Sequence, residues 1–284
     1  MKITTSKIKK LREITGIGIM DCKKSLIKSK GNLDKAIYIL RKKGENIALN
    51  RSSIQIKEGS IISSVNPEFN KGSIIGLTCE TDFLSRSTEF IEFLSFLSKK
   101  SLFYRNKNEF LSSIVENNRT IQQIIIEKMG LFCEKLELKI FENVESTIVI
   151  NYTHNNKIAT LVGFSICSSS SFDTSLSENI LFARNIAMHI TAMNPIAIDE
   201  QGIPDDLIKK EEKIIWHNIN EKTKDKSNEI KEKIFLGKKR KFIMENTLLH
   251  QKYIKNEEET IQEYIRKFNE KIKINIFKRI SLLR

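Results

Sequence analysis

The sequence predicts an α+β protein: an N-terminal three-helix module, a core with antiparallel sheets, a protruding antiparallel helical hairpin and a C-terminal helical module. Three observations carry this. The first 44 residues divide into three stretches of helical apolar spacing, each followed by a glycine, Gly16, Gly31 and Gly44, able to take the left-handed conformation that ends a helix. Strand-period runs followed by an apolar helical stripe occur twice, once after residue 53 and again after residue 136, which reads as a duplicated hairpin-plus-helix core. A long charged segment then opens at Pro204 with an apolar seam too sparse to be buried inside a globule.

In the first module, spanning 1–52, Ile8, Leu11 and Ile14 recur at helical spacing, then Cys22, Leu26 and Ile27, then Leu33, Ala36, Ile37 and Leu40 behind an Asn32 N-cap. Between the first two helices lies Gly16-Ile17-Gly18-Ile19-Met20, more apolar surface than so small a core can bury. Ile19 and Met20 therefore face either a partner or the module's own core. The first core subdomain, 53–135, opens with Ser60–Asn66 and Ser73–Cys79 as a hairpin about the turn Pro67–Gly72. A helix follows from Ser87 or Thr88, with Glu89 in its first turn and Phe90, Phe93, Leu94 and Leu97 as its stripe.

The second subdomain begins in 136–202, with strands at Leu136–Phe141, Thr147–Thr153 and Ile158–Ile166 and a helix carrying Ile180, Ala183, Ala187 and Ile190. The helical hairpin covers 203–241; Leu207, Ile214, Ile215, Ile219, Ile230, Ile234 and Phe235 form its seam and Lys222–Ser227 its polar middle. Residues 242–259 return to the second subdomain. The last module, 260–284, starts with a basic amphipathic helix that places Ile261, Tyr264, Ile265 and Phe268 on one side, packed back on the body.

The chain has 284 residues, 40% of them apolar, too many for a disordered chain and enough for a sizeable core. Its 48 Lys+Arg against 35 Asp+Glu give a net charge of +13. The excess sits at the ends: residues 1–44 carry 13 basic and 3 acidic side chains, 45–226 carry 20 and 24, and 227–284 carry 15 and 8. Either these ends touch nucleic acid, or their lysines are solvated surface in a chain crowded with Ile, Lys and Asn. No run of about 18 apolar residues could span a bilayer, and the start has no apolar leader core, so a cytoplasmic protein without membrane contact is expected. Cys22, Cys79, Cys133 and Cys167 lie far apart with no Cys-x-x-Cys pair, which reads as four reduced thiols rather than a zinc or redox motif.

Enzymatic arrangements are hard to find. His154, His189, His217 and His250 fall in different segments, and no phosphate-loop or nucleophile-elbow motif occurs. Cys22 or Cys79 as a nucleophile would lack a base nearby in sequence. Neither catalysis, a cofactor nor a bound metal is expected. What stands out is Cys79-Glu80-Thr81-Asp82-Phe83-Leu84 between a strand and a helix. Thr81 and Asp82 are turn formers, so Phe83 is either thrust outward from a rigid base or folded down as a hydrophobic staple on its own helix.

Leu11-Arg12-Glu13, Thr15-Gly16, Gly18, Met20-Asp21-Cys22-Lys23-Lys24 and Gly31-Asn32-Leu33-Asp34, followed by Cys79, Thr81-Asp82-Phe83, closely resemble bacterial elongation factor Ts. Further matches are Gly163, Ile186-Ala187-Met188-His189-Ile190, and Lys241-Phe242 with Glu245, Leu248, Leu249, Gln251 and Tyr253, while 101–127 and the tail after Ile265 hardly match. The resemblance implies a UBA-like N-terminal module, a coiled coil in the hairpin, and a nucleotide-exchange factor for elongation factor Tu, meeting it both GDP-bound and nucleotide-free. In that family the Thr-Asp-Phe segment wedges into the partner's GTPase domain near its Mg²⁺, a role that falls on Thr81, Asp82, Phe83 and Leu84. Secondary partner contacts fall on Arg12, Met20 and Lys23, and with weaker motif support on Met129, Gly130 and His154, which resemble core residues of the family that also affect binding. The alternative is a nucleic-acid-binding protein of the translation apparatus that uses its basic ends.

Overall fold

The computed structural model describes residues 3–15, 17–50, 56–116, 118–166, 177–223 and 227–282. The chain begins with α1 (Thr5–Thr15), α2 (Ile19–Lys28) and α3 (Leu33–Asn50), packed around Ile8, Leu11, Ile17, Cys22, Leu26, Ala36 and Leu40. Gly31, at φ 79°, takes the left-handed conformation between α2 and α3. Gly16 lies outside the described residues. Gly44 departs from expectation, because α3 runs through it to Asn50.

The core follows as β1 (Glu58–Val65), β2 (Lys71–Cys79), α4 (Asp82–Arg86), α5 (Thr88–Ser101), α6 (Lys107–Ser112), the short β3 (Ile114–Glu116) and β4 (Arg119–Thr120), and α7 (Ile121–Phe132). After it come β5 (Glu137–Glu145), β6 (Ile148–His154), β7 (Ile158–Ile166), α8 (Ser177–Met193), α9 (Asp205–Lys222) and α10 (Asn228–Asn246). The last elements are β8 (Lys252–Tyr253), β9 (Asn256–Thr260), α11 (Ile261–Phe268) and β10 (Ile272–Ser281).

Two three-stranded antiparallel sheets result, ordered β1-β2-β5 and β10-β7-β6. Both differ from the sequence reading in their third strand. β5, expected with the second subdomain, instead pairs along β2 from Lys71↔Glu145 to Thr78↔Glu137, because β2 buries both faces and needs a partner on its second edge. The tail after α11, expected to be helical, is the strand that closes the second sheet, from Ile272↔Ile166 to Ser281↔Ile158. Its alternating Ile272, Ile274 and, after a bulge, Ile276 fit the strand period.

Alternation along the strands builds the layers. Ile61, Ile74 and Val144 of the first sheet meet Val149, Ala159 and Leu161 of the second, so the sheets pack face to face. The outer face of the first carries Ile75, Leu77 and Cys79 against Phe90, Leu94 and Leu97 of α5 and Ile121 and Ile125 of α7. The outer face of the second carries Ile148, Ile150, Val162 and Phe164 against Phe182, Ala183 and Ile186 of α8 and Ile261 and Ile265 of α11.

The three-helix module is fixed to this core where α3 crosses α7 at two glycines. A methyl group on Gly130 would stand 3.2 Å from the Gly44 Cα, and one on Gly44 would overlap the Ile126 carbonyl oxygen. Gly44 thus serves close helix packing rather than helix termination.

α9 and α10 run antiparallel, tied by Trp216 stacked on Phe235 with ring centroids 4.7 Å apart and by Lys239 paired with Glu212 at 2.8 Å. Ile215 and Ile219 of the expected seam are buried, whereas Ile214 and Ile230 are exposed. Gly237 lies within α10, where an added methyl group meets open space. A helix-interior glycine is roughly 1 kcal/mol less favourable than alanine. Gly237→Ala is therefore expected to raise the stability of the helix pair by about 0.5–1 kcal/mol, read as greater amide protection in α10 by hydrogen exchange.

Candidate partner-binding site

The strand β2 ends at Cys79, and the chain turns at Glu80 and Thr81 into the five-residue helix α4. Thr81 caps that helix, its Oγ1 accepting from the Leu84 amide at 3.2 Å. The turn is stapled from across the core by Glu134. One of its carboxylate oxygens accepts from the Glu80 and Thr81 amides, both at 3.0 Å, and the other accepts from the Thr81 hydroxyl at 2.6 Å. The Glu80 carboxylate in turn accepts from the Lys135 amide at 2.7 Å. These reciprocal bonds lock the end of β2 to the approach of β5. Glu134 reaches this place because Cys133, at φ 56°, ends α7 in the left-handed conformation and turns the chain back.

Beneath the turn, Ser60 donates to the Ser85 carbonyl at 2.7 Å, and the Cys79 thiol donates to the Thr81 carbonyl at 3.2 Å. Leu84 is buried against α5 and the first sheet. On the outer side, Phe83 is 85% exposed. Of the two orientations the sequence allowed, the ring points outward. Asp82 is exposed beside it, 3.4 Å from Arg86 one helical turn on.

Within the Thr81–Leu84 segment Leu84 is the buried anchor and Phe83 the exposed ring, because α4 turns the two to opposite sides. Met129 and Gly130 lie in the interior, Met129 in the core under α5 and Gly130 against Gly44, so any effect they have on a partner is indirect. Arg12 on α1 and Lys23 on α2 are exposed, and so are Ile19 and Met20, at 51% and 63%. His154 is exposed at the end of β6, its Nδ1 3.3 Å from the Tyr152 hydroxyl. These four site residues stand on elements separate from the Thr81 turn.

Glu134 is the residue the sequence reading missed. It lies 53 positions from Thr81, and nothing local to either reveals the pairing. Glu134→Ala removes the acceptor for two amides and a hydroxyl, and each hydrogen bond to a charged group contributes about 1.5–3 kcal/mol, less where water can substitute. The expected outcome is a turn that loosens while the core stays folded: faster exchange of the Thr81 and Leu84 amides, and any activity that depends on Phe83 lowered about tenfold.

Neither buried thiol offers a nucleophile. Burial and the Glu134 carboxylate push Cys79 up to about 12, and burial raises Cys22 as well, so both stay protonated at neutral pH. Cys167 lies outside the described residues. His189 is a buried structural histidine: its Nδ1 accepts from the Ile254 amide at 3.3 Å, its Nε2 lies 3.0 Å from the Gln251 Oε1, and burial lowers its pKa. Among the described residues no group of three His, Cys, Asp or Glu could hold a metal ion, and no helix is long and apolar enough to cross a membrane.

A family model described as Elongation factor TS matches residues 80–282. Curated relatives named Elongation factor Ts match nearly the whole length. The protein from Flavobacterium psychrophilum is 39% identical over 281 residues, covering 99% of this chain and 98% of the relative. That from Christiangramia forsetii is 35% identical over 282 residues, and that from Azobacteroides pseudotrichonymphae 34% over 284, each covering 99% of both chains.

Proposed function

Since the chain belongs to the elongation factor Ts family of translation elongation factors, we propose that it binds elongation factor Tu·GDP and drives GDP release, so that GTP can rebind. The observation that carries this reading is Phe83, 85% exposed on a turn whose backbone is held by Glu134 and whose base is packed on the first sheet. A large aromatic displayed on a rigid mount enters a partner at low conformational cost.

The mechanism requires no covalent step. Phe83, flanked by Thr81 and Asp82, wedges into the partner's GTPase domain near its Mg²⁺. Displacing that ion removes the charge that bridges the diphosphate, and shifting the phosphate loop removes amide donors. The free energy comes from differential binding: a factor that prefers the nucleotide-free state weakens nucleotide affinity by the same ratio. Arg12, Met20 and Lys23 form a second, basic and apolar contact on the three-helix module, read as UBA-like. His154 adds a contact at the second sheet, and the α9–α10 pair is read as a coiled coil. Met129 and Gly130 act from the interior by holding α7 in place. The protein works in the cytoplasm as an exchange factor rather than a catalyst of bond chemistry.

The test is stopped-flow release of a fluorescent GDP analogue from purified cognate elongation factor Tu. Strong acceleration by the full chain is expected. An unchanged release rate at saturating concentration would defeat the proposal.

A further inference from the structure

We infer that the loop between α5 and α6 is a binding site for single-stranded nucleic acid, with Phe103 as a stacking platform and Lys99, Arg105 and Lys107, its neighbours in sequence, as phosphate contacts. The site lies apart from the Thr81 turn, at the start of the stretch 101–127 where the family's motifs hardly match. Residues 99–107 carry four basic and no acidic side chains within a middle region that is acidic overall.

Phe103 is 79% exposed, and its backbone is fixed. Its amide donates to the Lys100 carbonyl at 3.3 Å, the next amide, Tyr104, to the Ser101 carbonyl at 3.2 Å, and the Tyr104 carbonyl accepts from Asn143 Nδ2 at 2.6 Å. The Tyr104 ring turns inward on Phe110, with centroids 5.6 Å apart. Phe103 is thus the single outward ring of an ordered loop. Lys100 lies over the Phe96 ring, 5.8 Å from its centroid, while among the described residues Lys99, Arg105 and Lys107 are not ion-paired with a carboxylate. Glu109 accepts from the Arg105 amide, while Glu142 and Glu145, on either side of Asn143, are paired with Lys278 and Lys71.

These features select the ligand. Unlike Phe83, which stands beside the exposed Asp82 carboxylate, Phe103 has only basic charges within five residues of it in sequence. That favours a polyanion over a protein surface, and the short loop has no amphipathic helix with which to enter a membrane surface. An exposed ring with Lys99, Arg105 and Lys107 close to it in sequence suits a base face and its neighbouring phosphates, the combination by which sequence-tolerant single-strand binders work.

The experiment is fluorescence anisotropy of labelled oligo-dT and oligo-rU, each about twelve nucleotides, with the full chain at about 50 mM and higher salt. Phe103→Ala is expected to weaken binding about tenfold and leave the salt dependence unchanged. Lys99→Gln, Arg105→Gln and Lys107→Gln together are expected to make the dependence of log affinity on log salt shallower by about 2. If both sugars behave alike the site reads base and phosphate; if only one shows the Phe103 effect, it reads the sugar too. Unchanged affinity in Phe103→Ala overturns the inference and leaves any binding to the basic ends. Equal competition by polyglutamate, or Phe103-dependent binding to phosphatidylserine vesicles without binding to either oligonucleotide, overturns it as well. Phe103 is a surface residue, so matching circular dichroism spectra are expected for the variant.

Discussion

Phe83→Ala is expected to abolish most of the chain's ability to speed GDP release from elongation factor Tu while leaving its own fold intact. The ring is 85% exposed and its neighbours in the turn hold one another through Glu134, Thr81 and Ser60, so no core contact is lost. Central aromatic anchors of interfaces contribute about 2–4 kcal/mol or more when truncated, equivalent to roughly 30- to 700-fold in the release rate at subsaturating factor. The thermal unfolding midpoint should stay within the range of a neutral surface change. Leu84→Ala is the contrasting variant. It cuts a buried side chain out of the core under α4, so stability should fall by about 2–5 kcal/mol and exchange should fail because the mount is lost. Equal exchange by wild type and Phe83→Ala would show that release is driven elsewhere on the molecule.

Gly44→Ala is expected to have a large structural effect for a single methyl group. The added carbon would overlap the Ile126 carbonyl oxygen, a backbone atom inside α7 that cannot rotate away. Overpacking of this kind costs about 1–3 kcal/mol and occasionally more, and here the strain falls on the one helix crossing that fixes the three-helix module to the core. The module should undock, giving a separate low-temperature transition in calorimetry while the two sheets unfold at their usual temperature. Gly130→Ala meets the Gly44 Cα at 3.2 Å, a milder approach, and should cost less. Loss of the module's contacts by Gly44→Ala should weaken affinity for the partner, yet a wedge on the core should still release GDP at high concentration. An unaltered single transition would disprove this account of the crossing.

Most of the helices and the hairpins were legible because each announces itself within a dozen residues. Pro204 and Ser87 mark helix starts, and the Phe90 stripe and the Ile74–Cys79 run have the periods of their elements. What failed was relational. Gly44 has the residue type of a helix end, and only the neighbour 86 positions away in sequence shows that it is a crossing point; such contacts have no local period. β5 reads as a strand from its own residues, but which sheet edge it joins depends on the second edge of β2, opposite β1, needing a partner. The tail was missed although Ile272 and Ile274 alternate, since the preceding amphipathic helix suggested more helix. At the site, Thr81 and Asp82 announced the turn, while the outward face of Phe83 and the carboxylate that staples it required the fold.

The β10 strand sets a timetable for synthesis. The first sheet has all its strands once residue 145 has been added, but β7 must wait for a strand ending at Ser281 to cover its outer edge. From Ile166 to Ser281, at about 5–20 residues per second, that delay is roughly 6–23 s. During it, the edge of β7 stands unpaired next to its apolar Val162 and Phe164, the kind of open edge that recruits other strands. The nascent chain therefore carries a half-finished sheet longer than any other part of the fold, and this is where a chaperone has most to protect.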